Sequence, residues 1–458
     1  MAAQSPLKDS EFTSAVELLR RVIPEEDFPA YSLDVSPATV YTTLVTLWML
    51  TLQRLGGGKS MAAVIQDVLT HSRTLLPDNK RVREGTLSGR SGSYSEARKR
   101  LPIELVRTFA ERVSQSLIDL SPPWFEDRRA FIIDGTTMTL APTSNLRDAY
   151  PPATNQHGET VWPVMMLMVA HELQSGCALI PEFGAMYGPN NTSEARQAAA
   201  IGRRILSGSL ILADAGFGIF SVAYAMVGEG HDILFRLTKS RFKSLRRQAE
   251  VIGQAGHSVQ YRLTWIPSAK DRLTNPDLPV DARLEVFLHE VKLENGERLY
   301  VVTTLQVTSD QAAEYYARRY DVEHDIRDMK VSLGLENIRA KSDEMVQKEL
   351  LCSVVAYNLV VQLRREAAKI AGVKPRRLSF TGVWTTMQVC LLQQPPCTAL
   401  VWLERYENAL KYAAGHKLPN RPGRSYPRSA HPRRPKSTKF MHQQTKKDAP
   451  NELPEKPK

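Results

Sequence analysis

The sequence predicts an α/β fold. A largely buried sheet is covered by helices on both faces, carries a β-rich insertion, and is flanked by an all-helical N-terminal region and C-terminal helices. Three observations predict this. Short apolar runs such as "AFIIDGTTMTL" (130–140) and "SLILADAGF" (209–217) read as buried strands. Helical patterns, "NTSEARQAAAIGRRIL" and "GIFSVAYAMVGEG", are interleaved with such runs, which implies a sheet wrapped on both sides. From 241 to 304, "HSVQYRLTWIP", "ARLEVFLHEVKL" and "RLYVVTTL" alternate like antiparallel strands.

Taken in order, residues 1–122 are expected to form a helical N-terminal region. Apolar residues recur at helix spacing in "SAVELLRRVI", "VYTTLVTLWMLTLQRL" and "IELVRTFAERVSQSLIDL". "SPPW" at 121–124 breaks the pattern and marks a boundary. Residues 123–240 give the order β-β-β-α-β-α-β, with "QSG" turning the second strand into the third. The β-rich segment spans 241–304. A mixed-charge helix opens the stretch 305–370, and helices continue over 371–415. From 416 to 458 prolines recur every few residues without apolar periodicity, so this tail is expected to be disordered.

Charge narrows the partner. The chain of 458 residues carries +11, but twelve Lys/Arg and three Asp/Glu after position 415 account for +9 of it. The basic character is therefore mostly a property of the tail, read either as a sequence-blind phosphate-binding arm or as a solvated end. Four scattered cysteines argue against a zinc ribbon or disulfide framework and for a reducing compartment. "MAAQSPLKDSEF" has no apolar signal core, and "SPATVYTTLVTLWMLTLQ" is too polar for a membrane span, so a cytoplasmic protein is expected. "RLGGGKS" (54–60) resembles the end of a phosphate-binding loop. Gln53 occupies the place of its first glycine and a helix precedes it, so it reads as a glycine-terminated helix.

The chemistry is sought among acids. Asp134 ends "FIID" and Asp214 ends "LILAD". A carboxylate at the end of a buried strand must cap a turn, pair with a cation or bind a metal. Capping explains one such residue; two on adjacent strands would share a rim and could share divalent cations. In "YYARRYDVEHDIRDMK" (315–330), an ideal helix turning about 100° per residue places Tyr315, Val322, Ile326 and Met329 on one apolar stripe. Asp321, Asp325 and Asp328 then fall on the far, solvated side. Glu323 alone among the acids borders the stripe, together with Tyr316, Arg319, Arg327 and Lys330. On this geometry Glu323 is either a catalytic carboxylate or the partner of Arg319 or Arg327 at a packing seam.

The spacing Tyr316, Arg319, Glu323, Lys330 resembles the Tyr-Arg-Glu-Lys signature of DDE transposases of the insertion-sequence-four family. "IIDGTT" resembles that family's first-Asp strand, "LADAGF" its second, and "SGSYSEARKRLP" an N-terminal element; the likeness runs over about 90–365. It departs at Ala215, where the family commonly has Arg, and at Tyr320, where Trp is common. The resemblance implies an RNase H-like catalytic core, with Asp134, Asp214 and Glu323 catalytic and holding two Mg²⁺ ions, Mn²⁺ being a substitute. It implies phosphate contacts by Tyr316, Arg319, Lys330 and Arg327, cleavage of double-stranded DNA at the element's ends, and transfer of the 3′ ends into target DNA by a homodimer acting at the nucleoid. Related enzymes use a hairpin intermediate and flip a base against an insertion Trp; Trp265 lies in the right segment but reads more readily as core. "GRSGSYSEARKR" is the candidate reader of the ends. An RNase H-like nuclease without strand transfer and a catalytically silent transposase-derived DNA-binding protein are the alternatives. A glycosidase is disfavoured, because it leaves the Arg and Lys beside Glu323 unexplained.

Overall fold

The computed structural model describes residues 17, 18, 20, 21, 36 and 38–419, apart from 125–127 and 157. The expected basic tail beyond 419 lies outside these residues, as does most of the first predicted helix. In chain order the main elements are α1 (Thr43–Leu55), α2 (Met61–His71), α3 (Lys80–Arg83), α4 (Gly92–Arg100), α5 (Ile103–Asp119), β1 (Ala130–Thr139), α6 (Ser144–Ala149), β2 (Thr154–Asn155), β3 (Gly158–Glu159), β4 (Val164–Glu172), β5 (Glu182–Ala185), α7 (Glu194–Gly202), β6 (Leu210–Ala213), α8 (Phe220–Gly228) and β7 (Asp232–Arg236). There follow α9 (Lys239–Arg246), β8 (Glu250–Ala255), β9 (Ser258–Trp265), α10 (Ala269–Thr274), β10 (Leu284–Lys292), β11 (Arg298–Thr303), α11 (Ser309–Ala317), α12 (Asp321–Arg327), α13 (Asp343–Ala371), α14 (Phe380–Met387) and α15 (Ala399–Gly415).

Among the described residues, nine strands form one sheet in the order β5-β4-β1-β6-β7-β11-β10-β9-β8. β1 pairs antiparallel with β4 and parallel with β6, and β6 parallel with β7. β1 and β6 each bury successive residues on alternate faces. Ala130, Ile132, Leu210 and Leu212 meet Ala312, Tyr316 and Val322 of α11 and α12. Phe131, Ile133, Ile211 and Ala213 join the main core with Ala198 and Ile201 of α7 and Phe220 and Val222 of α8. Helices on both faces explain why the strands read as unbroken apolar runs.

The β-rich segment is an extension of this sheet: β11 pairs with β7, and β10, β9 and β8 follow. Its alternating sequence predicts antiparallel pairing but not the docking edge. β8 was not foreseen; its residues are largely exposed, so the apolar pattern that announces a buried strand is missing. Trp265 is core, buried and edge-on to Phe220.

The N-terminal helices share the main core, through Leu47, Trp48, Val106 and Phe109. Buried charges tie them down further. Arg98 of α4 bonds Glu349 of α13 at 2.5 Å, while Arg54 of α1 donates to Ser353 Oγ at 2.8 Å and to the Gly334 carbonyl at 2.7 Å. The described residues up to Leu418 cluster as one compact unit. α1 ends at Gly56, with Gly57 and Gly58 at φ 71° and 80°, the glycine-terminated helix expected from "RLGGGKS".

Candidate active site

Register brings the two aspartates together. The parallel β1–β6 pairing runs Ala130–Leu210, Phe131–Ile211, Ile132–Leu212. Continued two residues, it sets Asp134 beside Asp214, on the face that carries Ile132 and Leu212. Neighbouring strands lie about 4.8 Å apart, so the two carboxylates share one rim. Asp134 lies within β1, which continues past it to Thr139, and its Oδ1 accepts from the next amide, Gly135, at 2.9 Å; Asp214 lies in the loop after β6, its Oδ1 accepting from the Gly216 amide at 2.7 Å. Arg241 of α9 braces that loop, donating to the Ala215 carbonyl at 2.5 Å and the Gly218 carbonyl at 3.5 Å.

The third acid arrives on α12. Arg319 Nη2 donates to Glu323 Oε1 at 2.8 Å, and its Nη1 lies 3.4 Å from Asp134 Oδ2. One guanidinium thus spans the carboxyls of Asp134 and Glu323. Glu323 pairs with Arg319, as one of its two sequence readings expected, and its side chain is half exposed. Lys330 reaches back to β1, donating to Thr136 Oγ1 at 3.1 Å and the Thr137 carbonyl at 2.7 Å. Arg327 is exposed. Tyr316, read as a DNA contact, is buried against the sheet at 3% exposure, so it supports the rim from beneath and is not presented at the surface. Among the described residues, three of the site's elements therefore meet: β1, the end of β6 and α12.

Electrostatics mark the rim. Burial pushes the Asp134 carboxyl up to about 6; Asp214 and Glu194 push the same way, and Arg319 and the Gly135 amide oppose them. Glu194 is raised too, by burial and by Asp214. This acid was not singled out in the sequence, where it looks like an ordinary first-turn helix acid. The only signal was its place in a helix between the two Asp strands.

The solvated side expected for Asp321, Asp325 and Asp328 does not exist. Asp325 is fully buried and Asp328 is 6% exposed. Two irregularities defeat the ideal wheel: a 3-10 turn at Arg318–Tyr320 and a π turn at Asp328–Ser332. The supposed outer side also packs against other elements. Arg376 clasps Asp325 with bonds of 3.2, 3.2 and 2.7 Å and also bonds the Leu173 carbonyl. His171 of β4 lies 3.8 Å from Asp325, and Arg364 of α13 lies 3.7 Å from Asp328. Burial raises Asp325, but Arg376, His171 and Arg364 outweigh it and hold the carboxyl below its ordinary range. This clasp fixes the helix that carries Glu323, and sequence periodicity could not reveal it.

The donor set fits hard divalent cations. It is all carboxylate oxygen, the kind of donor such ions prefer. As they stand, no three acidic, His or Cys side chains among the described residues converge tightly enough to hold one ion, and the Arg319 guanidinium lies between Asp134 and Glu323.

The sheet thus carries Asp134 and, just after β6, Asp214, with Glu323 on a neighbouring helix and Arg319, just before that helix, reaching Asp134; the class of protein follows from the family. Residues 125–359 match the family described as Transposase DDE domain, and the chain belongs to that family. It is 24% identical over 346 residues to the transposase InsG of insertion sequence element IS4 from Escherichia coli (strain K12), covering 73% of this chain and 74% of that one. The cryo-EM structure of the piggyBac transposase synaptic complex with hairpin DNA aligns over 91% of this chain and 89% of its own, at 11% identity and a TM-score of 0.42. The protein is a DNA transposase, an enzyme of DNA cleavage and strand transfer. No described helix is long and apolar enough to cross a membrane.

Proposed function

We propose that Asp134, Asp214 and Glu323 are the catalytic triad of an RNase H-like core that cuts double-stranded DNA at the ends of its own insertion sequence and joins the 3′ ends to target DNA. What supports this reading is that β1 pairs with β6 up to Ile132–Leu212, two residues before each Asp, and that one Arg319 guanidinium reaches both Asp134 and Glu323. The three acids would hold two Mg²⁺ ions, with Mn²⁺ as substitute. Bound there, such ions activate the attacking oxygen and stabilise charge on the phosphoryl group and leaving oxygen.

The chain's own residues do the rest. Arg319 and Lys330 lie within one or two side chains of the rim and offer forked and point-charge contacts to phosphates beside the scissile bond. When DNA phosphate enters, Arg319 exchanges one carboxylate partner for it, which frees the space between Asp134 and Glu323. Exposed Arg327 extends the cationic strip. Tyr316 holds α11 against the sheet beneath Asp214, where burial raises its phenol. The helical N-terminal region reads the ends. In support, a surface cleft of about 650 Å³ there carries Arg81 and Arg100 among hydroxyl groups, one acid, Glu96, and apolar residues, a lining whose cations and hydroxyls suit phosphate contacts. Two ends must be joined in one event, so the active form is a homodimer, working at the nucleoid.

The test is incubation of labelled DNA carrying the element's ends with Mg²⁺, comparing wild type with Asp134→Ala, Asp214→Ala and Glu323→Ala. Each variant is expected to bind the ends and fail to cut. Wild-type cleavage by any one of them removes that residue from the site.

A further inference from the structure

The glycine turn that ends α1 is docked on the end of the segment that carries Glu323 and Lys330. The Leu55 carbonyl, at the close of α1, accepts from Trp384 Nε1 and Gln388 Nε2, both at 2.7 Å. Gly57 and Gly58 then turn the chain at φ 71° and 80°, where side chains are disfavoured. This lets the turn close on a second one. Gly334, at φ 75°, lies just past the π turn Asp328–Ser332, and a Cβ on it would stand 3.4 Å from the Gly57 carbonyl oxygen.

Arg54, buried in α1, joins the two turns. Its Nη2 donates to the Gly334 carbonyl at 2.7 Å and its Nε to Ser353 Oγ of α13 at 2.8 Å, while its Nη1 lies 3.8 Å from Glu349 Oε2. Gly334 opens the 3-10 turn Leu335–Asn337, in which Glu336 lies 3.8 Å from Lys330 Nζ. Lys330 in turn is bonded to Thr136 and Thr137, just beyond Asp134 in β1. A guanidinium of the N-terminal helices thus reaches the rim in three short steps, through Gly334, Glu336 and Lys330.

The partners of Arg54 have other bonds. The Gly334 carbonyl also accepts from the Asn337 amide at 2.9 Å, Ser353 Oγ donates to the Glu349 carbonyl at 2.6 Å, and Glu349 pairs with Arg98 at 2.5 Å. A buried cation is costly to desolvate, and an apolar side chain of similar volume often serves stability as well or better. What Arg54 adds is a planar fork that ties α1 and α13 to the turn beside Lys330.

We propose that Arg54 is a positioning residue of the reaction: through the Gly334 carbonyl it fixes the turn that aligns Lys330, and with it the segment carrying Glu323, for the phosphate. The inference rests on the assignment of Glu323 and Lys330 to the active site.

The test uses the full-length protein, Mg²⁺ and labelled DNA carrying the element's ends, on wild type, Arg54→Met, Arg54→Lys and Glu323→Ala. End affinity, the single-turnover cleavage rate at saturating protein and amide hydrogen exchange are read separately. Arg54→Met is expected to bind the ends as wild type does and to cleave them about ten- to a hundredfold more slowly, the loss that a small misplacement brings. Its exchange should quicken about tenfold over 328–337 and keep the wild-type rate in α5, since local opening is independent of the core. Arg54→Lys should fall between, because one ammonium cannot hold Ser353 and Gly334 in a fixed fork. Wild-type cleavage by Arg54→Met, with cleavage lost in Glu323→Ala, overturns this inference alone. Wild-type cleavage by Glu323→Ala overturns the assignment of the site. Weaker end binding with an unchanged rate at saturation would place Arg54 in DNA binding, and exchange that quickens equally in α5 would make its role structural; either result sinks the proposal. Should Arg54→Met fail to fold, Arg54→Lys carries the test, and a wild-type rate in it is the overturning result.

Discussion

Asp134 in β1 and Asp214, the residue just past β6, each lie two residues beyond the paired Ile132 and Leu212. They lie 80 positions apart in the chain, and the sheet makes them one unit. Groups that act as a unit give non-additive losses when removed. Asp134→Asn and Asp214→Asn should each slow DNA cleavage about a thousandfold or more, since several kcal/mol of charge stabilisation at the phosphoryl group depends on both. The double variant should be scarcely slower than either single one. Single-turnover cleavage of labelled ends measures this; losses that multiply would mean that the two acids serve separate steps.

Arg319 is placed to compete with a metal ion. Its fork spans Asp134 and Glu323, and the side chain is only 11% exposed. Arg319→Ala should therefore raise the Mn²⁺ affinity of the DNA-free protein a fewfold, while lowering cleavage because a phosphate contact is gone. Arg319→Lys should not restore cleavage fully, since a compact ammonium cannot bridge two carboxyls as a planar fork does. Titration calorimetry and end cleavage read the two effects separately. An Mn²⁺ affinity that stays put in Arg319→Ala would place the guanidinium outside the ion's path.

Much of this site was legible in the sequence because it lies on regular elements. Asp134 and Asp214 end apolar runs, and strand pairing needs only that those runs be neighbours. Glu323 was legible because its immediate surroundings, Val322 and the Arg319 pair, obey helical spacing. Asp325 and Asp328 were misplaced because a 3-10 turn and a π turn change the angular step, and because Arg376 and Arg364, the partners that make their burial tolerable, lie 36 or more residues away. Glu194 was missed for a similar reason. Its place against Gly135 is a contact between elements that no local period encodes.

The clasp on Asp325 should govern the stability of the Glu323 helix. Asp325 is fully buried, and its main partner is Arg376 in the short turn Pro375–Arg377. Removing one partner of a buried pair leaves an uncompensated charge, at a cost of about 3–5 kcal/mol. Arg376→Ala should lose stability on that scale in urea unfolding. Asp325→Ala combined with Arg376→Ala should be more stable than Arg376→Ala alone, because the stranded charge is gone. A single variant as stable as wild type would mean that His171 or solvent takes over the pairing.

Asp328 predicts a pH dependence of opposite sign to that of an ordinary paired carboxylate. Burial raises its carboxyl from an ordinary 3.8 to about 6; Asp325 adds to the rise, and Arg364, Arg327 and His324 oppose it. Between those values the folded protein keeps a proton that the unfolded chain has released. Stability from this group is thus complete below about pH 4 and is lost as pH rises through about 6. Asn carries no such proton. Relative to wild type, Asp328→Asn should gain stability as pH rises from 4 to 7, by up to about 3 kcal/mol. The loss of the Arg364 partner shifts the variant at every pH and leaves this slope intact. Urea unfolding of both proteins across that range measures it; parallel pH profiles would show that Arg364 keeps Asp328 ionised throughout.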